Sequence, residues 1–286
     1  MAIKDALPPH KAQRIGAELR AIREESGKSL EEVAKSVGRT GPWLSKVERA
    51  RIPVSQEDVL RMFDYLEVKG RTRDSLESLT TGEPIKQWWR AYDDVLVPGF
   101  ARYLPLEAAA SGVRELSSLV FSGLTQTERS ANAVIENIWQ KPGADDVDAL
   151  IEVRMRRQRR LTEDPKLKLH SVFGEAALHI DIGGTEAMRE QIEYLLQLSE
   201  LDNVTIQVVP FKAGRRGVIQ VPLILPDFPD PTDPQLAFVE DMSGLTQCES
   251  AHEVRRAVRA FNHTQQAALS HDETVAFLQK FMKEHL

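Results

Sequence analysis

One cysteine, Cys248, stands in 286 residues, so neither an intramolecular disulfide framework nor a multi-cysteine zinc site can form. The seven histidines, among them His170, His179, His252 and His263, lack metal-ligand spacing. No run is long and apolar enough to cross a bilayer. The start, with Lys4, Asp5 and Pro8-Pro9, lacks the apolar stretch of a signal peptide, so a cytoplasmic protein without membrane contact is expected. Gly183-Gly184-Thr185 lacks the spaced glycines and lysine of a phosphate loop and reads as a left-handed turn. No nucleophile, base and oxyanion donor assemble at recognisable spacing, so no catalytic residue, cofactor or metal is expected.

What is present is an ordinary globular composition, 42% hydrophobic and 28% charged, on a chain long enough for two domains. The net charge of −6 is unevenly spread. Residues 1–53 hold 11 Lys+Arg against 7 Asp+Glu, a balance of +4, and the remainder 26 against 36, a balance of −10. A basic head on an acidic body suits a chain that holds phosphates with one end.

Arg14 to Leu66 reads as four short helices. Ile15, Leu19 and Ile22 recur at helical spacing up to a stop near Ser26-Gly27. Ser29 caps a second helix with Glu32 in the reciprocal position, and Leu30, Val33, Ala34 and Val37 form its buried face before Gly38 ends it. Thr40 caps a third helix, Pro42 falls in its first turn, and Leu44 and Val47 face inward. Ser55 opens a fourth, buried through Val59, Leu60, Phe63 and Leu66. Small Ala34 at a close crossing, with Gly38 four residues on, is the pattern of a DNA-binding helix-turn-helix. The outward face of the third helix then carries Thr40, Gly41, Pro42, Ser45, Lys46 and Arg49, with Arg39 just before it. Arg49 is the candidate for bidentate guanine contact, and Ser45 and Lys46 are less specific. Backbone amides at the start of the second helix, near Ser29 and Leu30, are expected to clamp a phosphate. Glu48 is expected to bond inside the bundle. Such a bundle also serves protein contacts elsewhere, and the basic outward face favours duplex DNA.

Gly16-Ala-Glu-Leu-Arg20 with Ile22-Arg23, Ser29-Leu-Glu-Glu-Val-Ala34, Gly38 and Leu44-Ser45-Lys46-Val47-Glu48 resemble the XRE, or phage-repressor, type of helix-turn-helix. Two positions depart from that pattern. Glu31-Glu32 replace a glutamine common at the start of the second helix, and Arg49 stands where a glycine often follows the glutamate.

Residues 1–82 are therefore expected to be an all-α DNA-binding bundle and residues 83–286 an α+β domain, with a hinge at Thr80–Pro84. Helices are predicted over 71–81, 85–110 with a break at Pro98-Gly99, 145–162, 185–201, 250–268 and 272–285. Strands are predicted over 169–173, 178–180, 204–210, 218–225 and 236–240. Trp88-Trp89, Phe100-Ala-Arg-Tyr103, Leu106 to Ser111, Gly123 to Glu128, Arg157-Gln158, Glu175 to Leu178 and Asn203 to Phe211 resemble an actinobacterial family joining an XRE-type head to a large C-terminal domain. That family is often labelled Scr-type or antitoxin-like. The resemblance implies transcriptional control beside a small partner protein encoded nearby and implies no catalysis. Ser122 stands where the family often has proline.

Five arginines between Arg154 and Arg160 read as a solvated helix face rather than a second phosphate patch. Trp88, Trp89, Phe100 and Tyr103 read as core more than as a ligand pocket. Ala213-Gly214, a dipeptide of the kind self-cleaving repressors cut, lies far from the hinge with no serine–lysine pair after it. The expectation is a homodimeric regulator on duplex DNA whose C-terminal domain answers to a small protein or small-molecule ligand. The alternative is an antitoxin-like module for which DNA is secondary.

Overall fold

The computed structural model describes residues 7, 9–80, 88–97, 99–137, 143–241 and 244–286. It divides into two compact units, Met1–Gln87 with Phe228–Pro234, and Trp88–Asp227 with Gln235–Leu286. The hinge expected at Thr80–Pro84 falls, beyond Thr80, outside the described residues.

The first unit holds α1 (Pro9–Glu25), α2 (Leu30–Ser36), α3 (Gly41–Glu48), α4 (Gln56–Tyr65) and α5 (Gly70–Thr80). The helical repeat of apolar residues closes one core from Ile15, Leu19, Val33, Ala34, Leu44, Val47, Val59, Met62 and Phe63. Ser29 and Ser55 cap α2 and α4 as their sequence context predicts, and Ser29 with Glu32 forms the full capping box. Gly16 lets α1 meet the end of α3: a Cβ there would lie 2.7 Å from the Glu48 carbonyl oxygen and 2.8 Å from that of Val47. The chain leaves α3 through Ala50, whose φ of 48° is left-handed.

The second unit is α+β. A 3₁₀ turn (Trp88–Tyr92) and α6 (Phe100–Ala109) precede β1 (Gly112–Ser117). Next come α7 (Glu128–Asn137), α8 (Ala144–Gln158), β2 (Lys168–Gly174), α9 (Ala176–His179), α10 (Thr185–Ser199) and β3 (Val204–Val209). A 3₁₀ segment (Phe211–Gly217) leads to β4 (Leu223–Asp227), β5 (Phe238–Asp241), β6 (Gly244–Gln247), α11 (Ala251–Ala267) and α12 (His271–His285). The sheet order is β3-β2-β1-β4-β5-β6. β1, β2 and β3 are parallel, which requires the helical crossovers between them, and β4 to β6 are antiparallel.

One sheet face carries Leu116, Val172, Val209, Leu223 and Leu225 and is covered by Val254, Ala257 and Phe261 of α11. The period-two alternation places Glu115, Ser117, Ser171 and Phe173 on the other face, all buried. Several expectations are corrected here. Leu178–Ile180 is not a strand, because Ala176–His179 form one helical turn. The strand expected over 218–225 begins only at Leu223, where its partner Leu116 is available. β1 and β6 and helix α7 were not expected at all.

The arginines of 154–160 are corrected too. Arg156 and Arg159 are exposed, whereas Arg157 is buried and Arg154 and Arg160 turn inward. Arg157 forks onto Glu107 at 2.8 and 2.6 Å, joining α8 to α6. Arg160 donates to the carbonyls of Glu107 and Ala110. Arg154 donates to the side chain of Gln126, which also donates to the Phe121 carbonyl at 2.6 Å. Gln158 donates to the carbonyls of Gly123 and Gln126, both at 2.8 Å. Glu115 accepts from the Ser122 hydroxyl. Burial, opposed by that hydrogen bond and by Arg157, pushes the Glu115 carboxyl up to about 7. A buried polar layer therefore underlies this face of the sheet, where a solvated helix face was expected. Trp89 and Tyr103 are buried, and the Arg157 guanidinium lies 4.8 Å from the Phe100 ring centroid and 5.9 Å from that of Tyr103.

Candidate nucleic-acid interface

The second helix of the pair, α3, spans eight residues, and its core side, Leu44, Val47 and Glu48, is buried. Glu48 is held at the bundle's edge by Arg23, whose guanidinium donates to both carboxylate oxygens at 2.6 and 3.0 Å. That hydrogen bond, against the cost of burial, raises the Arg23 pKa. A carboxylate of α3 is thus neutralised on the helix's core side, bonded inside the bundle as the sequence suggested.

Pro42 and Lys46 are exposed on the opposite side, as is Arg49 at the helix end. Thr40 is the N-cap residue and is exposed, but its hydroxyl makes no capping hydrogen bond. The cap comes from elsewhere. Glu31 of α2 accepts a hydrogen bond from the Gly41 amide at 2.7 Å, placing a carboxylate at the positive end of α3. Gly41 is buried, and a Cβ there would lie 2.7 Å from the Glu31 carboxylate. Its placement on the outward face is therefore corrected: Gly41 is where α3 closes on α2, and its amide is occupied.

Ser29 itself is engaged within its own capping box. Its amide and hydroxyl both donate to one Glu32 carboxylate oxygen, at 2.7 and 2.6 Å, and its hydroxyl oxygen accepts from the Glu32 amide at 3.2 Å. These bonds hold the Glu32 carboxyl below its ordinary range, so an anion approaching Ser29 meets a negative charge already bound there.

Arg39 is exposed, lies 5.5 Å from the Trp43 ring centroid and has a guanidinium nitrogen 3.7 Å from Asp58. Arg49 folds back along its own helix, donating to the Ser45 carbonyl at 3.0 Å and to the Ser45 hydroxyl at 2.8 Å. Ser45 is half-buried. Thr40, Pro42, Ser45, Lys46 and Arg49 thus line one side of α3 with Arg39 at its start, while Ser29 and Gly41 do not join them. Trp43, half-buried under Arg39 in the first turn of α3, was missed because an aromatic in a helical repeat reads as core. Exposed Arg51, just past the helix, was missed as well.

In the body, an open cleft of about 220 Å³ is lined by Leu178, His179, Asp181, Met188, Phe281 and His285 among others. That is below the range usual for small-molecule sites. Among the described residues no group of three or more His, Cys, Asp and Glu is placed to hold a metal ion, and no helix is long and apolar enough to cross a membrane.

Residues 100–280, more than half the chain, match the family described as a domain of unknown function, DUF5753. The chain belongs to that family. The DUF5753 match begins at the first residue of α6 and spans the whole sheet. Residues 14–76 match a helix-turn-helix domain, which covers α2, α3 and α4 and marks the head as that of a DNA-binding regulator. No curated protein and no solved structure matches the chain.

Proposed function

We propose that this DUF5753 protein is a sequence-specific, non-enzymatic transcriptional regulator of the cytoplasm. Two heads of a homodimer read half-sites about one helical turn, roughly 34 Å, apart. The body senses a small cognate protein encoded nearby or a small-molecule ligand. Kinship with the actinobacterial, Scr-type and antitoxin-like XRE regulators belongs to the same reading and rests on the motifs shared with them.

The observation that carries it is the charge arrangement of the helix pair. Each carboxylate that would oppose a phosphate there, Glu31, Glu32 and Glu48, is engaged by a helix N-terminus or by Arg23. Lys46 and Arg49 face outward from α3, with no carboxylate within 4 Å among the described residues. A fold-stabilising bundle alone has no need of that separation.

Genomic footprinting of the tagged full chain tests the proposal. Protection of a site in or near its own promoter is expected; no protected duplex anywhere sinks it. On that duplex, Lys46→Ala lowers the salt slope by about one. Arg49→Ala costs roughly 1–3 kcal/mol and relaxes preference at one base pair. Should neither change alter binding, α3 is not the reading element.

A further inference from the structure

The parallel strands β1, β2 and β3 finish side by side at Ser117, Gly174 and Val209, and β4 starts beside them, with Leu223 opposite Leu116. Four exposed large apolar residues gather at this end of the sheet. Leu119 follows β1 by two residues and is 55% exposed; Phe211 follows β3 by two and is 62% exposed. Val218 and Val221, 61% and 40% exposed, lie in the lead-in to β4. Exposed apolar side chains clustered this way mark an interaction surface.

The connection from β3 to β4 is basic within an acidic body, although the β4–β5 register also brings exposed Glu240 and Asp241 of β5 beside Pro222 and Val221. Residues 203–226 contain no Asp or Glu but hold Lys212, Arg215 and Arg216, all exposed. Arg215 and Arg216 have no carboxylate within 4 Å among the described residues. Lys212 faces Glu273, whose carboxyl is lowered chiefly by its bonds to Ser270. Nearby Glu175 is occupied by the Phe211 amide at 2.6 Å and lies 3.6 Å from His179.

The backbone is incomplete in the same place. Val218-Ile-Gln-Val221 has strand composition, and Ile219 packs against the core while Val218 and Gln220 point outward. Yet the segment joins no ladder, and no backbone hydrogen bond joins Ile219, Gln220 or Val221 to another described residue. An extended, β-branched segment with unpaired main-chain groups is a template for strand addition.

We infer that the lead-in to β4 is a docking strand for an extended, acidic and apolar segment of a partner polypeptide. The incoming strand pairs with the main chain of Val218–Val221. Its apolar side chains meet Phe211 and Val218, and its carboxylates meet Arg215 and Arg216. Nucleic acid fits less well: Phe211 is the only aromatic in the cluster, and its ring is stacked on His179 at 5.5 Å, whereas single strands need open stacking platforms. A lipid surface would leave the unpaired main chain unsatisfied. The inference rests on the proposed sensing of a protein partner and does not depend on DNA binding by the head.

The probe is a fluorescein-labelled peptide of alternating valine and glutamate, titrated against the full chain without DNA. Saturable binding below roughly 1 mM is expected. Arg215→Glu/Arg216→Glu, which touches only exposed positions, weakens it at least about tenfold. N-methylation of alternate peptide amides does the same, and the Ile219–Val221 amides gain hydrogen-exchange protection only with the unmethylated peptide. The proposal is overturned by no saturable binding, by equal binding of a valine–lysine peptide, or by full affinity in the double variant. It is also overturned if anionic vesicles or single-stranded DNA compete fully at this patch, or if the double variant dissociates a dimer without affecting the peptide. A duplex shift on the same preparation separates the two readings. A shift without peptide binding removes the docking strand and leaves the regulator; peptide binding without a shift does the opposite.

Discussion

Substituting Glu115 by glutamine turns the buried polar layer into a measurable pH dependence. The folded carboxyl titrates at about 7 against an ordinary value of 4.5, because burial disfavours its charge more than Ser122 and Arg157 restore it. Between those values the folded chain holds a proton that the unfolded chain has released, so this group's contribution to stability falls as pH rises from about 4.5 to about 7. The interval corresponds to about 3 kcal/mol. The amide introduced by Glu115→Gln cannot ionise and still offers an acceptor to the Ser122 hydroxyl. The variant should therefore gain on the parent by about 2–3 kcal/mol between about pH 5 and about pH 8. Carboxylates with lowered values, Glu24, Glu32, Asp230, Glu253 and Glu273, tilt stability the other way at acid pH, but they are common to both proteins and cancel in the difference. Because the chain has two units, the measurement is hydrogen exchange at β1 and β2 amides in urea rather than a single melting curve. If the gap between the two proteins stays within about 0.5 kcal/mol across that range, Glu115 is ionised in the fold and the reasoning fails.

Three further outcomes follow from the same contacts. Arg157→Met leaves Glu107 buried without its partner and should cost about 3–5 kcal/mol by urea unfolding of the body, while Glu107→Leu/Arg157→Met recovers much of it. Ala50→Gly relieves a left-handed backbone at the end of α3 and should raise head stability by about 1 kcal/mol; an unchanged midpoint would refute that strain. Glu31→Gln keeps an acceptor for the Gly41 amide but removes a negative charge near the proposed DNA face, so duplex affinity should rise a few-fold at low salt with little change in stability, whereas Glu31→Ala should lose about 1 kcal/mol of cap.

The head was largely legible because its signals are local. Capping serines three residues from their partner amides, and apolar residues at helical spacing, placed α2, α3 and α4 within a residue or two. What local pattern cannot reveal is a partner ten residues away. Glu31 read as an anomaly in a phosphate-binding helix, and its role as the cap of α3 appears only when the helices are folded together. The body was harder for the same reason. β1 escaped notice because Arg114 and Glu115 interrupt its apolar run, one forked onto Asp227 and the other buried against Ser122. The inward turn of Arg154, Arg157 and Arg160 depends on Gln126, Glu107 and Ala110, which lie 28 to 50 residues upstream. Leu178–Ile180 was too short a run to separate a strand from a helical turn.

The polar side chains that α8 turns inward work like the teeth of a key. An oily helix can slip along an oily sheet at small cost, but here each tooth of α8 fits one lock: Arg157 in Glu107, Arg154 in Gln126, Gln158 in two carbonyls of the loop after β1. Moving α8 by one turn would break all three at once. Any signal received by this part of the molecule must then travel as a displacement of the whole block, with α6, α8 and that loop moving together.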